Sequence, residues 1–151
     1  MAWASTMPSV VGMLTTTLTT ALTPTPVLVW QHTEAAALTE AVTVAHQGEQ
    51  DASVADGGFT SEGFVSNPDR EAYSIRCVSA VRDGTGDAAA ASTRAFTLLG
   101  AVGAALAADR HLGGLVLTAR VGDWTLAVTP DTRGVIAELF FNIDIDAYTT
   151  L

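Results

Sequence analysis

Charge is scarce in this chain, and positive charge scarcest. Only 15% of its 151 residues are Asp, Glu, Lys or Arg, against about 25% in an ordinary soluble domain. Seven basic residues face 16 acidic ones, for a formal net charge of -9. A grip on nucleic acid needs a basic footprint, so that class of function is excluded. A single cysteine rules out an internal disulfide framework and any cysteine-based metal site. No run reaches the ~18 consecutive apolar residues of a membrane span. From Met1 to Leu22 there is no Lys or Arg, and six threonines dilute the apolar residues. The positive n-region of a signal peptide is therefore missing, and we expect a folded helix in a non-secreted chain.

What is present is globular. Hydrophobic residues make up 48%, and the mean hydropathy is +0.32. The length fits one domain, residues 1-151, burying roughly 70% of its unfolded surface. So little charge on a soluble domain points to a surface partly covered by partners.

The stretch Glu71 to Gly114 organises the rest. From Tyr73 to Val81 the residues alternate. Tyr73, Ile75, Cys77, Ser79 and Val81 point one way, and Ser74, Arg76, Val78 and Ala80 the other, as in a half-buried strand. Asp83-Gly84-Thr85-Gly86 breaks the strand, and Asp87 stands where a helix N-cap carboxylate would. A helix follows, from about Ala88 to about Asp109. Ala95, Leu99, Val102 and Leu106 form its inner stripe, with Phe96 and Leu98 at the edges. Its back carries Ala90, Thr97, Gly100, Ala101, Ala104 and Ala108, with no charge. Such a back suits close packing against another helix or subunit, although an alanine-rich composition alone would also produce it. Gly113-Gly114 ends the element.

Before this unit, Thr6 and Pro8 start a first helix. Its inner face is Met7, Val10, Val11, Leu14, Leu18, Ala21 and Leu22. Threonine is a mediocre helix former, so this helix needs tertiary or partner contacts. Pro24 and Pro26 stop it. Val27 to Gln31 reads as a short strand, with Trp30 in core or sheet-edge packing. Thr33 to Leu38 is ambiguous, and Ala41 to His46 reads as a strand. Gln47 to Asp69 is an acidic segment of 23 residues with Glu49, Asp51, Asp56, Glu62 and Asp69, and no basic residue. That exceeds the ~12–15 residues of an ordinary structureless loop. Either it hides a short hairpin, or it is a flexible arm that orders on a partner through Phe59 and Phe64.

After the long helix the pattern is antiparallel. Leu115, Leu117, Ala119 and Val121 alternate, Gly122-Asp123 turns the chain, and Trp124, Leu126 and Val128 alternate next. Residues Thr129 to Gly134 turn it again. In the final strand Val135, Ala137, Leu139, Phe141, Ile143 and Ile145 face in, while Glu138, Asn142, Asp144 and Asp146 face out. The expected fold class is α+β, a mainly antiparallel sheet with the long helix on one face and the N-terminal helix beside it.

Chemistry is thinly represented. Gly84-Thr85-Gly86-Asp87-Ala88-Ala89 fits the dinucleotide pattern G-x-G-x-x-A. The strand before it alternates rather than running apolar, however, and Asp87 puts a carboxylate where pyrophosphate would bind. A tight turn with an N-cap is the better reading. His32, His46 and His111 are scattered without ligand spacing, so no metal site is expected. Asp144 and Asp146 share a strand face near the chain end, more a solvated edge than an acid/base pair. Cys77 sits on the apolar face as a small hydrophobe. We expect no catalytic residue and no cofactor.

The order of elements and some local text resemble the tail terminator proteins of long-tailed, siphovirus-type bacteriophages, especially actinobacterial ones. The residues are Arg70-Glu71-Ala72-Tyr73-Ser74-Ile75-Arg76-Cys77, the Gly84–Asp87 turn, Arg94-Ala95-Phe96 and Leu112-Gly113-Gly114. The hairpins and the acid-flanked strand from Phe140 to Tyr148 follow. With the first helix and VLVWQ strand, the resemblance covers almost the whole chain. It implies a non-enzymatic virion protein, assembled in the host cytoplasm and placed at the head-proximal end of the tail. There it would form a homohexameric ring, bind the tail tube protein, halt tube growth and meet a head-completion or connector protein. DNA would pass through without specific binding, and no membrane is involved. The family has no catalytic residues to carry over. The interface candidates are then Glu49, Asp51, Asp56, Phe59, Glu62 and Phe64 on the acidic segment, and Gly100, Ala101, Ala104 and Ala108 on the helix back. Two other readings stay open: another head–tail junction or tube ring protein, and a small ligand-binding or enzymatic α+β domain.

Overall fold

A computed structural model describes residues 4–30, 39–48, 53–61 and 68–149. The fold is α+β. Its elements are α1 (Met7–Leu22), β1 (Val27–Val29), β2 (Glu40–Val44), β3 (Ala55–Thr60), β4 (Arg70–Asp83), α2 (Ala88–Ala108), β5 (Thr118–Asp131) and β6 (Gly134–Tyr148). One sheet runs β1-β2-β4-β6-β5, with β3 also on β4. Among the described residues, only the β1–β2 pair is parallel.

β4 is the spine. One edge pairs with β6 over its whole length. The other is shared end to end, by β3 on residues 70–75 and β2 on residues 77–81. Arg76 is the junction: its N–H donates to the Val54 carbonyl at 2.9 Å, and its carbonyl accepts from the His46 N–H at 2.8 Å.

Both helices lie on one face of the sheet and share its core. The alternation of β4 holds, with Tyr73, Ile75, Cys77, Ser79 and Val81 all buried. The Ser79 hydroxyl in that row donates to the Ala95 carbonyl of α2 at 3.1 Å and is thereby satisfied. β4 is not simply half-buried, because Val78 and Ala80 on its second face are also buried. The inner stripe of α2 is Ala91, Ala95, Leu98, Leu99, Val102 and Leu106. Leu99→Ala should therefore cost ~2–5 kcal/mol in chemical denaturation; a loss below ~1 kcal/mol would mean the stripe is not packed.

Helix boundaries follow the capping chemistry. The Asp87 carboxylate accepts from the Ala90 N–H at 3.0 Å and starts α2. The helix ends at Ala108, before the glycine pair, and Leu112 turns back at φ 46° to fill the core below it. α1 carries its apolar face as expected, except that Ala21 is exposed. Its threonines bond inward: the hydroxyls of Thr15, Thr16, Thr19, Thr20 and Thr23 each donate to the carbonyl four residues back.

Several expectations are corrected. β1 stops at Val29, because Trp30 adopts φ 55° and stands 45% exposed beyond the strand end. β2 stops at Val44, because Ala45 adopts φ 54°. Thr33 to Leu38 lies outside the described residues. Gly122-Asp123 does not reverse the chain. It is a β-bulge within one 14-residue strand, and Val121 pairs with Ile143 while Trp124 pairs with Phe141. A Cβ at Gly122 would meet the Asp144 carboxylate, which would have to swing aside to admit it. The strand also starts later than its alternation suggests, so Val116 is buried and Leu117 exposed. The true reversal is the two-residue loop Thr132-Arg133 between paired Asp131 and Gly134. Gly134 sits at φ 124°, with the Asp83 carbonyl where a Cβ would be.

The acidic segment is resolved into a strand where it is described. β3 makes a hairpin with β4, so residues 55–60 are not part of a structureless arm. Gly57 faces Tyr73 so closely that a Cβ would meet the Tyr73 Cβ, with the Ala72 carbonyl at 2.7 Å. Gly57→Ala should pry β3 from β4 and speed amide exchange across residues 55–60 while leaving β6 protected.

Candidate functional site

The outer surface of the helix layer is the distinctive surface of the molecule. α1 contains no charged residue and α2 contains one, Arg94. That arginine is occupied: its guanidinium grips Glu40 of β2 through two bonds of 2.8 Å. Those bonds, above all, hold the Glu40 carboxyl below its ordinary range, helped by a 2.7 Å bond from the Thr25 hydroxyl. Of the helix-back candidates, Gly100, Ala104 and Ala108 are exposed. Ala101 is half-buried and packs against the core instead, because it lies on the flank of α2 that faces α1.

Nothing inside the monomer requires glycine on these helices. A Cβ at Gly12, Gly100 or Gly103 would meet no atom within 4 Å. Glycine in a helix interior costs about 1 kcal/mol relative to alanine, so these positions give up stability without an intramolecular packing return. Beside α2, on the edge strand β5, Trp124 is 55% exposed and meets Phe96 edge-on at 4.9 Å. Val128 is exposed further along the same strand face. The alternation in β5 marks these residues as inward-facing. They do face the helix side, but at the sheet's edge, where α2 covers them only in part.

The acidic candidates divide. Phe59 is exposed on β3, as an anchor would be. Asp56 is engaged within the fold: it accepts from the Ser53 hydroxyl at 2.9 Å and pairs with Arg76 at 2.7 Å. These contacts, Ser53 first, lower its pKa. Glu49, Asp51, Glu62 and Phe64 lie outside the described residues.

The residues weighed for chemistry are dispersed. The Gly84–Asp87 turn is filled by its own chain, since the Asp83 carboxylate accepts from the Thr85 N–H at 2.8 Å and the Thr85 hydroxyl at 2.5 Å. The Thr85 hydroxyl and amide hold Asp83 below the usual carboxylate range. An anion in that turn would compete with this carboxylate. Cys77 is buried, and burial pushes its thiol up to about 12, away from nucleophilic use at neutral pH. Asp144 accepts from the Ser74 hydroxyl at 2.6 Å, and Asp146 pairs with Arg70, which lowers its pKa. The two carboxylates thus serve the outer sheet face separately. His46 is nearly buried and tilts on Phe140 at 5.9 Å, and His111 Nδ1 lies 2.8 Å from the Leu117 carbonyl. His32 lies outside the described residues. Among the described residues no group of three or more His, Cys, Asp or Glu could hold a metal ion.

One site escaped the sequence reading. Glu71 is buried at the start of α1. Its carboxylate accepts from the Thr6 N–H at 2.9 Å, the Thr6 hydroxyl at 2.6 Å and the Ser5 hydroxyl. The Tyr73 hydroxyl joins the same cluster at 3.0 Å from Thr6 Oγ1. The signal was available: Glu71 is two residues before Tyr73, in phase with the inner face.

Neither a protein-family model nor a curated protein sequence matches this chain.

Proposed function

We propose that this chain is a structural virion protein of a long-tailed phage. It forms a ring on the end of the tail tube, ends tube growth and gives the head connector a joining surface. The observation that carries the reading is the exposed, charge-free back of α2 at Gly100, Ala104 and Ala108. It is the kind of surface that repeated copies pack through. The resemblance in residues 70–77, the turn at 84–87 and the final strand supplies the family.

The action would be steric. Growth stops because the propagating surface is covered, with no bond made or broken. That requires one ring face matched to the tube and an opposite face that is not. Six copies carrying -9 each would repel DNA in the bore rather than hold it, over the ~8 Å that screening allows. Deleting the gene should leave heads without tails, and tails of irregular and often excessive length, by electron microscopy. Normal-length, head-joined tails would end the terminator reading. Open filaments of the purified protein would favour a tube protein instead.

A further inference from the structure

We infer that, before it meets any partner, this protein covers its helix layer with the helix layer of a second copy, in a two-fold pair. The inference goes beyond the ring reading and stands without it. A ring built through the same face would have to open the pair.

Charge decides what can cover the layer. Across the 16 residues of α1 and the 21 of α2 there is one charged side chain, Arg94, already bonded to Glu40. Several of the exposed hydroxyls are also spoken for. Thr16, Thr19 and Thr20 of α1 and Thr97 of α2 donate to carbonyls of their own helices and so turn methyl groups outward. A charged surface laid on this layer would lose water and find no counter-charge. The outer sheet face of a second copy is the poorer cover: it carries Arg70, Arg76, Arg120, Glu138, Asp144 and Asp146, and even its ion-paired members would give up water there. The helix layer of a second copy meets the requirement.

Shape agrees, and size approaches what a stable pair needs. Gly12, Gly100 and Gly103 leave open space above both helices, which lets facing backbones approach closely. At 1.5 Å per residue the helices are about 24 and 32 Å long, and two side by side span about 20 Å. The layer therefore projects to roughly 500–600 Å², and its ridged accessible surface is larger. A standard stable interface buries about 800 Å² per partner.

Sedimentation of the intact chain over a wide concentration range tests this. The expected species has twice the 15.6 kDa chain mass. Ala104→Asp and, independently, Thr16→Asp should each return it to monomer with an unchanged circular dichroism spectrum. Thr132→Asp, on the β5–β6 loop, should leave the pair intact. A wild-type monomer throughout would overturn the inference, as would a pair that survives both helix substitutions. By length and composition α2 could cross a membrane. Co-sedimentation of a monomer with phosphatidylcholine vesicles, abolished by Ala104→Asp, would assign the layer to lipid and overturn the pair. A six-fold ring formed by the isolated protein would also overturn the pair while supporting the ring reading.

Discussion

Phe141→Ala is expected to remove about 3–5 kcal/mol of stability, a large share of the ~5–15 kcal/mol typical of a domain. Phe141 is the largest of the fully buried side chains and sits mid-way along β6. Its neighbours are Cys77 on β4 and Trp124 on β5. The cavity cannot collapse from below, because β6 is hydrogen-bonded on both edges. Urea denaturation should show a lower midpoint with little change in slope. Phe141→Leu, which refills most of the volume, should cost far less. Equal losses in the two variants would mean that volume is not what the site provides.

Glu71→Ala should cost about 2–4 kcal/mol. The substitution strands the Thr6 N–H, the Thr6 hydroxyl and the Ser5 hydroxyl, all of which donate to the carboxylate. Hydrogen bonds to a charged group contribute roughly 1.5–3 kcal/mol, and a buried donor left unmet costs about 1–3 kcal/mol. With Glu71 present the Thr6 hydroxyl is bonded to that carboxylate and makes no side-chain cap to α1. The loss should fall first on the start of α1, as faster amide exchange at Val10 and Val11. A variant with wild-type midpoint and exchange would show that water replaces the carboxylate without loss.

Much of this fold was legible because its signals are local. The inner row of β4, the Asp87 cap and the inner stripe of α2 each follow from a period or a single side chain. The same holds for the alternation of β6. The errors arose where a distant element decides. Gly122-Asp123 reads as a turn until Asp144 of β6 is placed beside it. The ADGGFT sequence of β3 has no strand pattern, and it pairs because Gly57 can lie against Tyr73. Val78 and Ala80 alternate like exposed residues yet are buried. The candidate interface was legible only as composition. That α1 contributes to it depends on the two helices lying side by side, which no period within either helix encodes.

The cap on α1 also has a consequence for synthesis. Its acceptor is Glu71, 65 residues after the Thr6 hydroxyl that it binds. A nascent chain carries α1 out of the ribosome long before that carboxylate exists. Thr6 makes no side-chain cap of its own, and the Ser5 hydroxyl that serves the Met7 N–H is itself tied to Glu71. Of the elements α1 packs against, β1 and β2 are translated before Glu71 and α2 after it. Its first turn is therefore completed only when β4 arrives, well after α1 itself has been made.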